Sequence, residues 1–179
     1  NGKTYISLVG FLFKNTSIFK IQIPFLKTFE EINLRFYVTR IEDGITKRGV
    51  VFINETIPYR IVAWMANKLY KEHYTVVATK HTIEEDSINQ KIKFEWQLHK
   101  KWNSIYVKNK LSSHKMQKGS FEKFIYEHYY GYTKVNDKKT EEYHLLHPSW
   151  ETHDVVDYKI DCDFKDMYGK SFSVLNDTK

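Results

Sequence analysis

The fold is decided by residues 29–38, F-E-E-I-N-L-R-F-Y-V, in which apolar and polar side chains alternate. Side chains of a β-strand point to opposite faces in turn, so this pattern predicts a strand with two chemically different faces. The apolar face carries Ile32, Leu34, Phe36 and Val38, and the polar face carries Glu31, Asn33, Arg35 and Tyr37. Asp43-Gly44 is typical of a tight hairpin turn, which predicts that residues 48–53 return as the partner strand.

Similar alternation elsewhere predicts further strands. Hairpins are expected over residues 92–108 and 129–147, with one more strand over residues 158–164, while the polar residues 108–119 indicate a loop. Pro58 can open a short helix over residues 59–70, and Ser120 can cap a second one near residues 121–127. These elements predict a mainly β (α+β) fold, an antiparallel closed or half-closed β-barrel with two short helices.

Composition indicates a single folded domain over residues 1–179, because 41% of the residues are hydrophobic and 16% are aromatic. A strand-like sequence begins within a few residues of Asn1, so we expect the domain to be trimmed at its ends. Cys162 is the only cysteine, which favours a reducing cytoplasm over secretion. No apolar run approaches the roughly 20 residues that span a bilayer, so no membrane association is expected.

The formal net charge is +6, from 28 Lys and Arg against 22 Asp and Glu. The lysines are dispersed among acidic residues, and no block of like charge exceeds three residues. This distribution predicts a solvated, lysine-rich surface and argues against nucleic acid as a partner. It is compatible with a homo-oligomer.

Five phrases of the sequence, taken together, resemble the YqjF-like bacterial family, whose function is unassigned. They are residues 5–11 (Y-I-S-L-V-G-F), 29–37 (F-E-E-I-N-L-R-F-Y), 48–53 (R-G-V-V-F-I), 127–133 (E-H-Y-Y-G-Y-T) and 147–150 (H-P-S-W). One departure is Tyr130, where the family has Trp. The resemblance implies a fold similar to acetoacetate decarboxylase, a barrel or cone around a small-molecule cavity, and a family domain longer than this chain at both ends. It transfers no catalytic residue, since fold does not carry function with it.

The polar face of the first predicted strand is the main candidate for a binding site. On an open sheet these side chains face solvent, whereas in a closed barrel one face of every strand looks into the lumen. In the second case Glu31 and Arg35 are expected to form a charge-assisted pair that lines a pocket, with Asn33 and Tyr37 beside them. An arginine held in this way can dock a ligand carboxylate through two parallel hydrogen bonds. Arg48 on the partner strand joins this group, and Glu30 replaces Glu31 if the face is shifted by one residue.

A second concentration of functional groups lies at residues 127–132. Glu127 precedes His128, a histidine poised near neutral pH can exchange protons, and the tyrosines provide ring walls and hydroxyl groups. The candidates here are Glu127, His128, Tyr130 and Tyr132; the alternative is a packed aromatic corner with His128 bonded to a carbonyl. No metal site is expected, since His144 and His147 would face opposite ways on a strand. Neither a Gly-rich phosphate loop nor a nucleophile elbow occurs, so no cofactor is predicted.

These observations predict a small-molecule-binding protein with an internal polar pocket, whose ligand is a small anionic or carbonyl-containing compound. One alternative is an enzyme on the same cavity, with Glu or His as acid and base. A second alternative is a protein or nucleic-acid interaction module without a cavity. An amine-based decarboxylase is not expected, because the adjacent lysine pairs at residues 100–101 and 138–139 fall in turns, where water keeps them charged. Lys68 and Lys71, near the first helix end, are the nearest substitutes.

Overall fold

The computed structural model describes residues 3–14, 28–69, 73–145 and 147–177, together with the backbone at 17–18 and 21–22. The strands are β1 (Ile6–Lys14), β2 (Ser17–Ile18), β3 (Ile21–Gln22), β4 (Thr28–Glu42), β5 (Ile45–Ile57), β6 (Tyr74–Val76), β7 (Thr79–Glu85), β8 (Asn89–Leu98), β9 (Lys101–Lys115), β10 (Tyr130–Asn136), β11 (Lys139–His144) and β12 (Glu151–Asp161). The helices are α1 (Arg60–Leu69), α2 (Phe121–Tyr126) and α3 (Phe164–Tyr168), followed by a 3₁₀ segment, Lys170–Asp177. The fold is mainly β, as predicted.

The larger sheet has the order β1-β4-β5-β10-β11, with β6 also paired to β5. The hairpin of β4 and β5 turns at Asp43 and Gly44, whose φ angles of 50° and 77° match a turn that needs two left-handed residues. Two of the pairings, β5 with β10 and β5 with β6, are parallel. The expectation of a purely antiparallel sheet was therefore wrong at these two places, because connections that contain helices let β6 and β10 run in the same direction as β5.

The smaller sheet has the order β12-β9-β8-β7 and is antiparallel throughout. The β8–β9 hairpin turns at His99 and Lys100, which both adopt positive φ. Neither residue is a glycine, so the sequence carries no typical signal for this turn. The loop predicted over residues 108–119 was wrong, since β9 continues to Lys115. Pairing with β12 fixes this polar stretch as a strand, and its exposed side chains explain why hydrophobic alternation did not reveal it.

The main core lies between the two sheets. The apolar face of β4 provides Ile32 and Leu34, both fully buried, and they pack with Phe94 and Trp96 of β8. Cys162 belongs to the same cluster and is almost fully buried. Phe164 also packs there, but it opens α3, whose N-terminus Asp163 caps, rather than continuing a strand. The two predicted helices are present, while α3 and the 3₁₀ segment were not foreseen.

The order of the larger sheet has two ends, β1 and β11, so the described strands do not close into a barrel by hydrogen bonding. The barrel or cone expected from the family resemblance is therefore not confirmed. Among the described residues, no helix has both the length and the apolar character that a membrane span requires.

Side chain contacts between Glu30 of β4 and two residues of β7 link the two sheets at the rim of the core. Glu30 of β4 accepts a hydrogen bond from the Thr79 hydroxyl at 2.7 Å and contacts His81 Nδ1 on β7. Burial alone would raise the pKa of Glu30, but the hydrogen bonds from His81 and Thr79 outweigh it and hold the pKa below its usual value. Glu30 thus lies on the opposite face from Glu31, so the face assignment made from the sequence needs no shift.

Replacing Glu30 by Gln should lower the free energy of unfolding at neutral pH by about 1 kcal/mol, because a charge-assisted contact between the sheets is weakened. A lowered carboxyl pKa stabilises the fold above the unfolded-state value near 4.5 and loses that contribution as the pH falls further. Urea unfolding at several pH values should therefore show the wild type and the variant converging in acid. Glu84→Gln on the exposed part of β7 is the control; a constant difference at all pH values would contradict the assignment.

Gly49 allows two elements to approach closely. A Cβ at this position would lie 2.5 Å from the Tyr132 ring and 2.7 Å from the Tyr130 carbonyl oxygen, which belongs to the paired strand β10. Gly49→Ala should therefore reduce stability by about 1–3 kcal/mol through overpacking against backbone that cannot give way. Thermal unfolding measures this, with Thr46→Ala on the exposed part of β5 as the control. Equal stability of Gly49→Ala and wild type would show that β10 is not seated against β5 as described.

Candidate functional site

The polar face of β4 lines a cavity of about 700 Å³ on the side of the larger sheet that faces away from the core. Its floor comes from β1, β4 and β5, and α2 and the segment after β11 cover it. The lining residues are Phe11, Leu12, Phe13, Lys14, Glu31, Asn33, Arg35, Phe52, Glu55, Tyr74, Tyr126, His128, Tyr143, Leu145, His147, Pro148 and Trp150. We call this space the β4 cavity.

A closing segment, residues 145 and 147–150, returns from β11 towards β1 and covers the cavity. His147 Nε2 lies 3.1 Å from the His128 carbonyl oxygen, and the Trp150 indole donates to His147 Nδ1 at 2.8 Å. The Trp150 ring lies 6.5 Å from the ring of Phe11 on β1. Side chain contacts thus bring together the two ends of the sheet that backbone hydrogen bonds leave apart.

Arg35 lies deep in this cavity with only 4% of its surface exposed. Its guanidinium carbon is 5.6 Å from the ring centres of both Phe11 and Tyr37, and its Nε donates to the Tyr37 hydroxyl at 3.4 Å. Tyr37 in turn donates to Ser7 Oγ at 2.9 Å. The carboxylates of the described residues form no ion pair with Arg35. A buried guanidinium held between two rings without a carboxylate partner is a position where an anion binds favourably.

Carboxylates gather at the other end of the polar row. Glu31, which is 5% exposed, accepts a hydrogen bond from Asn33 Nδ2 at 3.1 Å. The Tyr74 hydroxyl lies 2.9 Å from Glu55 Oε1 and 3.4 Å from Glu31 Oε2, so the two carboxylates meet at one phenol. We call these four residues the carboxylate end and refer to Arg35, Tyr37 and His128 as the arginine end.

The direct pair expected between Glu31 and Arg35 is not formed. Four residues of strand separate their Cα atoms by about 13 Å, and each side chain bonds to a nearer neighbour. The alternating pattern predicted correctly that both residues lie on one face. The expected distance between their charged groups was too short. The consequence is a cavity with opposite charges at its two ends.

His128 completes the arginine end. It is 5% exposed, its Nδ1–H donates to the Ile125 carbonyl oxygen at 3.0 Å, and its ring packs edge-on against Tyr37 at 5.9 Å. Burial, reinforced by the nearby positive charge of Arg35, lowers the pKa of His128 to about 4. The ring is therefore neutral at physiological pH, with Nε2 as its unprotonated nitrogen.

A model of an uncharacterized conserved protein family, DUF2071, matches residues 1–179. The chain belongs to the DUF2071 family. The resemblance noted in the sequence is consistent with this membership. No curated protein and no solved structure shows significant similarity to the chain, so the relationship to acetoacetate decarboxylase stays a prediction.

Several residues predicted for the pocket lie elsewhere in this DUF2071 domain. Arg48 is exposed near the β4–β5 turn, four residues beyond Phe52, although it shares the cavity face of its strand. Tyr132 lies on the opposite face, where its ring covers Gly49 and borders a separate cleft of about 420 Å³. Tyr130 is partly buried and contacts Lys47 and His144 instead. The two tyrosines lie on that face because β10 pairs Tyr130 with Gly49 and Tyr132 with Val51, a register that alternation within β10 does not reveal.

Glu127 is placed beside the cavity and not in its lining. It accepts a hydrogen bond from Ser149 Oγ at 3.2 Å and forms an ion pair with Lys123 at 3.4 Å, so it anchors the closing segment to α2. Tyr37 also lies behind the lining, where it holds Arg35. Among the described residues, no group of three or more His, Cys, Asp or Glu side chains is arranged to hold a metal ion.

Glu55, Tyr74 and Phe11 also line the cavity, although no sequence pattern predicted them there. A register shift between β4 and β5 next to Leu34 and Arg35 marks a β-bulge, which allows both Phe52 and Glu55 to line the cavity although they are three residues apart. No sequence signal announces this bulge. Phe11, by contrast, alternates with Leu12 in an apolar strand, and only the packing decides which of the two faces Arg35.

Titration of His128 tests the electrostatics of the arginine end. Because its pKa is depressed to about 4 in the folded protein, the unfolded chain binds the proton more readily as the pH falls from about 6.5. Stability should drop by up to about 1.4 kcal/mol per pH unit across that window on account of this residue. His128→Gln should flatten the profile there, and exposed His99→Gln should not. A His128 ring that titrates near pH 6.5 by NMR would contradict this description.

Proposed function

We propose that this protein binds a small anionic molecule in the β4 cavity, with the anionic group of the ligand at Arg35. The observation that carries the proposal is the burial of Arg35 between two aromatic rings without an ion pair from any described carboxylate. A guanidinium presents parallel N–H donors that match a carboxylate, and a desolvated site strengthens the contact. The cavity volume of about 700 Å³ suits a small organic molecule.

The surroundings of Arg35 support a preformed site. The rings of Phe11 and Tyr37 fix the plane of the guanidinium, so little side chain entropy is lost when a ligand binds. His128 is neutral and adds no competing charge. Arg35 is 4% exposed in this covered space, and shielding from water strengthens the attraction between a guanidinium and an anion.

Arg35→Gln should weaken the binding of small carboxylates and keto acids by about 10- to 100-fold, because a charge-assisted pair is lost. The unliganded variant should be as stable as the wild type or more stable, since a buried positive charge without a carboxylate partner is removed. Calorimetric titration and thermal unfolding measure the two effects. Arg48→Gln is the matched control, because Arg48 is an exposed arginine of the same hairpin.

Two results would contradict the proposal. One is equal affinity of the wild type and Arg35→Gln for every acid that binds. The other is strong destabilisation of the unliganded Arg35→Gln variant with no effect on binding, which would make Arg35 a structural residue.

An enzyme on the same cavity is the second candidate, and His128 is the observation that favours it. An unprotonated imidazole nitrogen next to a bound anion can accept a proton from it, and an anion at Arg35 would raise the pKa of His128 towards the working range of a general base. An amine-based decarboxylase has less support, because Lys14, the lysine in the described lining, is exposed, and exposed Lys68 contacts the Trp64 ring. Lys71 lies outside the described residues. Mass spectrometry distinguishes the candidates: a bound acid recovered unchanged supports binding, and a converted one supports catalysis.

A further inference from the structure

The side chain of Asn33 has one hydrogen-bonding atom that the described residues leave unused. Asn33 is fully buried, and its Nδ2 donates to Glu31 Oε1 at 3.1 Å. This bond fixes the orientation of the amide, because a carboxylate can accept a hydrogen bond only from the nitrogen. Asn33 Oδ1 is consequently a buried acceptor that receives no hydrogen bond from the described residues.

Buried acceptors without donors are uncommon, because each one costs about 1–3 kcal/mol when its hydration is lost. Asn33 lines the β4 cavity on the same strand face as Arg35, two residues away. Glu31, Glu55 and the Tyr74 hydroxyl surround this part of the cavity with further oxygen atoms. A group that donates hydrogen bonds fits this environment, and a group that only accepts them does not.

We propose that the ligand is a small acid that also carries a hydrogen-bond donor, a hydroxyl or an ammonium group, at the end opposite its anionic group. The donor bonds to Asn33 Oδ1 at the carboxylate end while Arg35 binds the anion. This inference rests on the proposed function, since it identifies the ligand class of the same site. Asn33 then determines which acids bind preferentially, whereas Arg35 contributes affinity for the anionic group of every acid.

The geometry also limits the distance between the two groups. Residues two apart on a strand have Cα atoms about 7 Å apart, and the Arg35 Nε bonds towards Tyr37, away from Asn33. A hydroxyl on the carbon next to a carboxylate is too close to that carboxylate to reach both partners. The ligand therefore has its donor several bonds from the acid group.

The test uses the whole chain and two series of probes. One series contains linear ω-hydroxy and ω-amino acids of increasing length, and the other contains unsubstituted acids of the same lengths. Affinity in the substituted series should pass through a maximum with length. At that maximum the matched unsubstituted acid should bind about 3- to 10-fold more weakly, the value of one net hydrogen bond. Comparison of the hydroxy and amino arms identifies the donor.

Asn33→Leu, which keeps a similar volume without the amide, should bind the substituted and unsubstituted acids equally, while Arg35→Gln should weaken both. Far-UV circular dichroism establishes whether Asn33→Leu folds. If it does not, NMR of the wild type decides, because the side chain amide signals of Asn33 should shift with substituted acids and much less with unsubstituted ones.

The outcomes separate this inference from the function on which it rests. If acids bind in an Arg35-dependent way but with the same affinity whether or not they carry a hydrogen-bond donor, the role of Asn33 is wrong. The proposed anion site at Arg35 is then still supported. Failure of every acid to bind would overturn both proposals. A length-dependent preference for donors that disappears in Asn33→Leu, or that is accompanied by the Asn33 amide shift, supports the inference.

Discussion

The pleat of β4 is the constraint on which the rest of the structure depends. One strand supplies Ile32 and Leu34 to the core and Glu31, Asn33 and Arg35 to the cavity, so core and cavity share a single backbone. Because alternate side chains must leave opposite faces, a slip of one residue would place charges in the core and aliphatic groups in the cavity. Burial of the apolar face therefore fixes the pairing register of β4, and this register places Arg35 in the cavity.

Closure of the cavity depends on side chains more than on strand pairing. The larger sheet keeps two edges, and Phe11, His147 and Trp150 cover the space between them through ring contacts and hydrogen bonds. Such contacts are individually weaker than a continuous ladder of backbone hydrogen bonds. The site thus combines a floor held by the backbone pairing of β4 and β5 with a cover held by side chain contacts.

The electrostatics of the cavity depend on which partners the charged side chains have at each of its two ends. At the carboxylate end, an amide and a phenol bond to Glu31 and Glu55, whereas the arginine end holds a guanidinium between rings beside a neutral imidazole. Arg35 and His128 influence each other because both are shielded from water: the charge of the arginine helps to keep the histidine unprotonated. An anion bound at Arg35 would neutralise the charge of the guanidinium and would also raise the pKa of His128. Occupancy of the site is thereby connected to the titration of His128.

The sequence by itself determined the mainly β class, the hairpin at Asp43-Gly44, the two helices at α1 and α2, and the separate faces of β4. These features depend on local rules, the period of two, turn chemistry and capping, which operate between residues close in the chain. It also placed Glu31, Asn33 and Arg35 on one face, since parity along a single strand needs no tertiary information.

Only the tertiary structure decided that the polar face of β4 lines a covered cavity, which distant residues join β4 there and which strand pairings are parallel. Glu55 and Phe52 reach the cavity through a bulge, and Tyr132 is excluded from it because its pairing with Val51 places it on the opposite face of the sheet. Arg48 shares the cavity face but lies beyond the cover. Each of these outcomes depends on contacts between segments far apart in the chain. Periodicity records which side of a strand a residue occupies, but not what another part of the chain places against that side.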